Sequence, residues 1–211
     1  MMLPHASCKT DRKTCFVLVA CLSILSGCGS SSITSDPDLT AFDRVNSSAT
    51  QIRARFPDNQ LTPIASVPMH GSGQYEGFVT VTLAGQTNTK ALAGVMSARV
   101  TFDAHPSITG TAHSFADQRG APITGQIALA GGKLNRNKDY SPSPRFEFSG
   151  KGNLENIQEQ TIHIRATFDG DFFGSNAEAL AGKAYGNATI DQRAVLFDGS
   201  FIMEAGKGGT P

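Results

Sequence analysis

Residues 169–182 (DGDFFGSNAEALAG) carry side chains from which a calcium-binding loop could be built. Asp169 and Asp171 match the first two ligand positions of the EF-hand pattern, which continues with further oxygen ligands and ends with a bidentate glutamate. Phe173 stands at the third ligand position, and Leu180 stands where that glutamate is required. Because apolar side chains replace two of the strongest ligands, the pattern argues against a calcium site.

Ser175 follows Gly174 directly, and no second glycine follows at the spacing of the Gly-x-Ser-x-Gly turn that exposes the nucleophile of many hydrolases. Ser175 and Glu178 instead have the spacing of a capping box, in which both side chains accept hydrogen bonds from backbone N–H groups at the start of a helical turn. Gly182 could end that turn, and Leu180 would then help to seal one end of the fold. We therefore predict a structural corner here rather than a catalytic site.

The other residues that could act in catalysis or metal binding are scattered. No two histidines stand at a metal-ligand spacing on one predicted element, so we expect them to be solvated. Three aspartates each follow a phenylalanine, at predicted strand ends, and this position suits turn capping better than a carboxylate pair for acid–base catalysis. We predict no catalytic residue, no metal, no cofactor and no enzymatic activity. The residues are His70, His105, His113, His163, Asp103, Asp169 and Asp198.

The first 28 residues have the features of a targeting signal. A basic segment at residues 9–13 precedes an apolar run of eleven residues, 15–25, which is too short to cross ~30 Å of hydrocarbon as a helix. The run ends in Leu25-Ser26-Gly27-Cys28, which resembles the lipobox of bacterial lipoproteins.

This resemblance implies a signal peptide of residues 1–27, because signal peptidase II of that family cleaves before a cysteine whose sulfur carries a diacylglycerol. It thus implies a membrane anchor on Cys28. Gly29 follows the cysteine, where an aspartate would signal inner-membrane retention. Resemblance to Gram-negative lipoproteins therefore implies an outer-membrane location, facing either the periplasm or the cell surface. The alternative is an ordinary secretory signal in which the cysteine is incidental.

Cysteine content and charge exclude several classes of function. Cys8, Cys15 and Cys21 lie in the predicted signal peptide, so the mature chain would keep only the acylated Cys28. This leaves no disulfide framework, thiolate zinc site or cysteine nucleophile. The mature chain would carry 15 Lys and Arg against 17 Asp and Glu. It therefore lacks the basic excess that nucleic-acid binding requires.

The start of the mature chain predicts a tether followed by a helix. Residues 28–36 are serine-rich and lack periodicity, which is typical of a flexible tether. With Asp36 as N-cap and Pro37 at the first helical position, residues 37–57 predict one amphipathic helix, and a loop follows at 58–70. We expect the apolar stripe of the helix to pack against the main body rather than a partner or membrane. The stripe consists of Leu39, Phe42, Val45, Ala49, Ile52 and Phe56.

Residues 71–205 contain eight segments in which apolar and polar residues alternate, followed by a predicted disordered tail at 206–211. The alternation predicts an all-β fold, an eight-stranded antiparallel up-and-down β-barrel preceded by the helix. Closure removes unpaired edges, and small inward residues would leave room for large ones. A two-sheet sandwich is the alternative, and polar outward residues argue against a membrane-spanning barrel. The small residues are Gly77, Gly94, Gly110, Gly125, Gly150, Ala166, Gly186 and Gly199.

Several motifs here resemble the β-barrel domain of the transferrin-binding protein B family, over roughly residues 68–205 and most strongly over 168–204. The resemblance implies a barrel on a lipoprotein of the outer membrane or cell surface. The family's receptors have two lobes, each with a handle domain and a barrel, whereas this chain has one barrel and a helix, so no binding residue carries over. The motifs are Gly71-Ser72-Gly73-x-Tyr75-x-Gly77, Phe102-Asp103, Ile108-x-Gly110, Phe115, Gly170-x-Phe172-Phe173-Gly174-x-Asn176-Ala177-Glu178-x-Leu180-x-Gly182 and Val195-x-Phe197-x-Gly199-x-Phe201.

Three classes of function follow. The favoured class is a non-catalytic binding module for a protein or small solute, with residues 131–144 (GGKLNRNKDYSPSP) as the first place to look for a partner contact. The second is a structural envelope lipoprotein without a ligand. The third is a carrier of small apolar ligands of lipocalin type, which needs an empty interior, whereas large inward side chains are expected to fill it. These are Phe102, Leu129, Phe146, Phe148, Phe168, Phe197 and Phe201.

We predict that a radiolabelled fatty acid fed to cells expressing the protein is incorporated at Cys28. The Cys28→Ala variant should lose the label, because the thiol forms the lipid linkage. The Cys21→Ala variant is the matched control and should keep it, since that cysteine is removed with the signal peptide. Equal labelling of the wild-type and Cys28→Ala chains would end the lipoprotein interpretation.

Overall fold

The computed structural model describes residues 39–85, 89–137 and 145–206. The predicted signal peptide, Cys28, the predicted tether and residues 207–211 lie outside these ranges. The elements are α1 (Ala41–Arg55), a 3₁₀ turn (Ile64–Ser66), β1 (Ser72–Ala84), β2 (Thr89–Thr101), β3 (Ser107–Asp117), β4 (Pro122–Asn135), β5 (Arg145–Glu155), β6 (Thr161–Phe173), β7 (Ala179–Ile190) and β8 (Arg193–Ala205).

The eight strands form one closed barrel. Each strand pairs antiparallel with the next along the chain, and β8 returns to pair with β1 in a register that joins Tyr75 to Ala205 and Ala84 to Leu196. The predicted all-β fold, an eight-stranded up-and-down barrel preceded by one helix, is confirmed. The two-sheet alternative is wrong, because the β1–β8 pairing satisfies the backbone groups that a sandwich leaves unpaired at its edges.

Aromatic rings fill the interior of the barrel. Phe148 and Phe168 stack with ring centroids 5.0 Å apart, and Phe201 meets both rings edge-on at 5.5 Å. Phe172 and Phe102 extend this cluster, with centroids 5.7 Å apart. Such contacts stabilise the core beyond the burial of apolar area. The seven residues predicted to fill the interior are each at most 3% exposed, so that prediction is confirmed.

Two glycines make room for these rings. A Cβ atom added at Gly94 would lie 2.6 Å from Cδ1 of Phe115, and one at Gly150 would lie 2.5 Å from Cε2 of Phe168. Both distances are shorter than any normal carbon–carbon contact. At these positions the predicted interleaving of small and large inward residues is confirmed.

Other glycines of the predicted set admit a neighbouring backbone rather than a ring. A Cβ atom at Gly77 would lie 2.0 Å from the carbonyl oxygen of Ile202, and one at Gly199 would lie 2.1 Å from that of Thr80. Both glycines lie where β1 and β8 meet, so they permit the close approach that closes the barrel. Gly125 was predicted to face inward, and this is wrong. It is exposed with a φ of +94°, a left-handed conformation that takes it out of the alternation.

Helix α1 packs against the outer wall of the barrel. Its N-cap is Thr40, whose side-chain oxygen accepts a hydrogen bond from the Asp43 N–H, so the predicted N-cap at Asp36 is wrong and the helix begins later than predicted. Ile52 lies at the centre of an apolar cluster between α1 and the strands, which confirms that the helix packs on the main body. The other buried members are Phe173, Ala179, Ala181 and Ile202.

The direction of α1 distinguishes the two ends of the barrel. At its start, Thr40 contacts the β3–β4 turn, where a Cβ atom added at Gly120 would lie 3.0 Å from the Thr40 Cβ. At its end, Arg55 forms an ion pair with Glu204 near the end of β8. Residues 57–71 then cross over this second end before β1 begins. We call it the capped end, and we call the end with the β3–β4 turn the open end.

We predict that Gly77→Ala lowers the free energy of unfolding by roughly 2–3 kcal/mol, because its Cβ would overlap the Ile202 backbone, which cannot rotate away. Urea unfolding followed by circular dichroism measures the change. Gly206→Ala is the matched control, since the nearest atom to its Cβ is 3.9 Å away. It should stay within about 0.5 kcal/mol of wild type. Equal stability of both variants would contradict the proposed role of Gly77 in closure.

Candidate binding surfaces at the ends and wall of the barrel

The histidines do not gather into a site. Within residues 39–85, 89–137 and 145–206, no group of three or more His, Cys, Asp or Glu is placed to hold a metal ion. Nδ1 of His163 lies 2.8 Å from Oδ1 of Asn153 on the neighbouring strand, and Nδ1 of His113 lies 2.9 Å from the Ser114 hydroxyl. These contacts are local pairs at the barrel surface. The expectation that the protein is not an enzyme stays a prediction.

The three aspartates that follow phenylalanines have different roles. Asp103 accepts a 3.1 Å hydrogen bond from the Gly71 N–H and so joins two segments at the capped end, as expected for a carboxylate in a connection. Asp169 and Asp198 lie within β6 and β8, so their predicted position at strand ends is wrong. Asp169 instead forms an ion pair with Arg145 on the adjacent strand β5.

The predicted corner between β6 and β7 is a turn without a helix. Gly174 and Ala177 have φ angles of +82° and +56°, which are incompatible with a right-handed helical turn. The Glu178 carboxylate accepts hydrogen bonds of 3.3 Å from the Ser175 N–H and hydroxyl, so only one half of the predicted capping box forms. The sequence pattern found the turn and its Ser–Glu contact, but the prediction of a helical turn is wrong.

Gly182 does not end a helical turn, as was predicted, because it lies inside β7. A Cβ atom there would lie 2.1 Å from the carbonyl oxygen of Asp169, so this glycine permits close approach of β6 and β7. Leu180 is fully buried in the barrel core. The glycine spacing therefore reflects strand packing rather than helix termination.

Tyr75 holds the turn over the capped end. Its hydroxyl donates a 2.6 Å hydrogen bond to the carbonyl oxygen of Ala177, and both residues are fully buried. Burial raises the pKa of the Tyr75 hydroxyl, because the phenolate would lose its hydration inside the barrel. Sequence reasoning missed this contact, since the two residues are 102 positions apart and only the closed barrel brings them together.

Hydrogen bonds fix residues 57–71 across the capped end. Thr62 is fully buried, and its hydroxyl donates a 2.7 Å hydrogen bond to the carbonyl of Gly174. Arg136 donates to the carbonyl of Val67 at 3.0 Å. Burial lowers the pKa of the Arg136 guanidinium.

The segment 131–144 was predicted to be a polar loop, but β4 continues to residue 135. The Arg136 side chain, which follows β4, therefore holds the segment that crosses the capped end.

A groove of about 690 Å³ lies between α1 and the barrel wall. Phe78 and Ile202, which face outward from β1 and β8, form part of its apolar surface. Arg53 and Asp58 line the groove too, with Nη1 and Oδ1 3.9 Å apart. The groove thus has both an apolar wall and a charged rim.

A second concave surface lies at the open end, with a volume of about 250 Å³. Leu92, Ile123 and Ile162 line it with side chains that are at most 5% exposed. Lys90 and Arg119 line it as well and bring positive charge to its wall. We call this surface the open-end pocket. It combines an apolar floor with a charged wall, as small-molecule sites commonly do.

Compared with known proteins, the chain matches no family model, no curated protein sequence and no solved structure. The resemblance to the transferrin-binding protein B barrel therefore stays a prediction drawn from its motifs. A search of the described residues for helices able to cross a membrane finds none.

We predict that Tyr75→Phe lowers the free energy of unfolding by about 1–2 kcal/mol, because the buried Ala177 carbonyl loses its donor. The raised pKa of Tyr75 in the folded state adds a pH dependence. Above the unfolded tyrosine pKa of about 10, the unfolded chain releases a proton that the folded chain retains, so stability falls as the pH rises. Tyr75→Phe should reduce this alkaline loss.

Tyr185→Phe is the control for this prediction, because that side chain is 42% exposed. Its urea midpoint at neutral pH should match the wild type, and its alkaline loss of stability should be retained. A Tyr75→Phe chain with wild-type stability at pH 7 and pH 10.5 would show that the hydrogen bond to Ala177 does not hold the cap.

Proposed function

We propose that the protein is a lipoprotein anchored through Cys28 in the outer membrane, and that its barrel is a non-catalytic binding module whose capped end meets the partner. The observation that carries this proposal is the direction of α1, which begins beside Gly120 at the open end and finishes beside Glu204 at the capped end. A lipid attached before α1 therefore joins the barrel through its open end. The capped end is then the end directed away from the membrane.

The length of the tether supports this orientation. Ten residues, and so eleven steps from one Cα atom to the next, separate Cys28 from Leu39, where the described chain begins. Fully extended, they would span at most ~40 Å, at roughly 3.3–3.6 Å per residue. Such a tether would limit how far the start of α1 can lie from the bilayer. The turns and crossing segment at that end offer polar groups on a rigid base, which is where binding residues are commonly found.

The filled interior argues against the carrier alternative. A lipocalin-type carrier needs a cavity along the barrel axis, but Phe148, Phe168 and Phe201 are in mutual contact there. A ligand would have to displace rings that already pack at native density. The binding surfaces of this protein therefore lie on its outside, which suits a protein partner or a small solute held at one end.

The charged residues nearest to the core serve the fold, which favours binding over catalysis. Asp169 pairs with Arg145 across two strands, and Asp103 fixes the Gly71 N–H. Both carboxylates are thus held by partners within the fold, whereas acid–base hydrolysis needs a pair of carboxyl groups placed across a cleft. The transferrin-binding protein B resemblance is compatible with this proposal, because it implies a closed barrel on a surface lipoprotein. A structural envelope lipoprotein without a ligand is the competing interpretation.

We predict that the orientation of the immobilised protein decides what it captures. A chain beginning at Gly29 keeps the whole described fold, since α1 and the barrel lie within residues 39–206. One preparation is coupled to beads through residue 29, which leaves the capped end free. The other is coupled through the C-terminus, which follows Gly206 at the capped end, where its N–H bonds to the Gln74 carbonyl. Both are exposed to outer-membrane extract and to extracellular fluid.

Specific recovery of a protein or solute by the first preparation, with at least severalfold less by the second, is the expected result. Equal recovery by both would contradict a partner site at the capped end. Recovery of only cell-wall material by both preparations would favour the structural envelope lipoprotein and end the binding-module proposal.

A further inference from the structure

We propose that the open-end pocket binds a small organic monoanion, such as a medium-chain or aryl carboxylate. The negative group would lie between Lys90 and Arg119, and the apolar part would lie against Ile157, which lines the pocket and is 63% exposed. This site lies at the end of the barrel opposite to the proposed partner surface. The inference rests on the pocket alone, so it stands whether or not Cys28 is acylated.

The charge of the pocket wall favours an anion. Its ionisable side chains are Lys90, Arg119 and Asp117, which together carry one net positive charge. Within the part of the chain that the structure describes, the Arg119 guanidinium makes no hydrogen bond or ion pair. Lys90 donates one hydrogen bond, of 3.3 Å, to Gln160 and keeps two further donors. The single negative charge of a carboxylate would therefore balance the net positive charge of the pocket wall.

Among the described residues, two acceptor atoms of the wall are already occupied, whereas Oδ2 of Asp117 and the side-chain amides of Gln118 and Gln158 are not. Oδ1 of Asp117 accepts 2.9 Å hydrogen bonds from the N–H groups of Arg119 and Ala121, which fixes the β3–β4 turn. Oδ1 of Asn156 accepts from the N–H groups of Gln158 and Gln160 at 2.9 and 3.0 Å, which fixes the β5–β6 loop. Both turns are therefore preorganised by their own side chains. The two cations Lys90 and Arg119 face a single carboxylate, that of Asp117, and this net positive charge favours an anionic ligand.

The size and floor of the pocket limit the ligand further. A dry cavity of about 150 Å³ lined by apolar residues accommodates benzene, so a pocket of about 250 Å³ suits a somewhat larger molecule. It is too small for the two acyl chains of a membrane lipid. Because Ile157 exposes most of its apolar side chain at the pocket, an inorganic anion would leave this apolar surface unused. A monoanion with a short apolar part uses both features.

The test is a titration of the chain beginning at Gly29, followed by amide chemical shifts in two-dimensional NMR. The probes are hexanoate, hexylamine and acetate. Hexanoate should give saturable shifts confined to residues 89–92, 117–123 and 156–162. Hexylamine should give none there, and acetate should bind at least about tenfold more weakly. Equal affinity for hexanoate and hexylamine, equal affinity for acetate, or hexanoate shifts that do not saturate would each overturn the proposal.

Variants of the wall separate a site from general surface charge. Arg119→Gln and Lys90→Gln should each weaken hexanoate binding by roughly tenfold or more, because each removes a charge-assisted hydrogen bond. Arg193→Gln is the matched control, since Arg193 is exposed at the same end of the barrel but does not line the pocket. Its affinity should equal that of the wild type. Affinity that falls equally in all three variants would show nonspecific attraction and overturn the proposal.

Discussion

The pairing of β8 with β1 is the interaction on which the rest of the structure depends. Without it the sheet would keep two open edges, and the aromatic interior would be exposed along the seam. The seam is narrow because Gly77 and Gly199 present no side chain to the opposing backbone, with added Cβ atoms at 2.0 and 2.1 Å from carbonyl oxygens. Closure of the barrel therefore depends on the close approach of the β1 and β8 backbones as well as on the packing of side chains.

Because the barrel is closed and its interior is filled, the ligand sites proposed above lie on its outer surface. Aromatic rings around Phe168 occupy the centre of the barrel, and the two concave surfaces described above lie at the open end and beside α1. The capped end is made rigid by Tyr75 and Thr62, whose hydroxyls donate to carbonyls of the β6–β7 turn. The open end keeps a pocket with unsatisfied donors. The two proposed sites thus have different chemistry because, among the described residues, the crossing segment 57–71 covers the capped end and not the open end.

Sequence reasoning succeeded where the signal is local and repeated. The alternation of apolar and polar residues predicted eight strands and their inward faces, and the structure has all eight. It failed where one backbone conformation overrides the pattern. Gly125 stands at a position that the alternation assigns to the interior, but its φ of +94° takes it out of that pattern. Ala177 has a φ of +56°, so a Ser–Glu spacing that is typical of a helix start forms a turn without a helix. The open-end pocket could not be predicted, because Lys90 lies at the start of β2 and Arg119 lies in the β3–β4 turn, and only the folded barrel brings these two segments to one surface.

The sequence by itself determined the strands, the inward phenylalanines and the need for small residues among them, because these follow from a two-residue period and the narrow interior of eight strands. It also contains the stretch Leu25-Ser26-Gly27-Cys28, which resembles a lipobox. Only the tertiary structure decided which neighbour each glycine accommodates: an aromatic ring at Gly94 and a backbone segment at Gly77. It also decided which end of the barrel residues 57–71 cover. Both features depend on contacts between residues that are far apart in the chain, and these contacts form only when β8 pairs with β1 and closes the barrel.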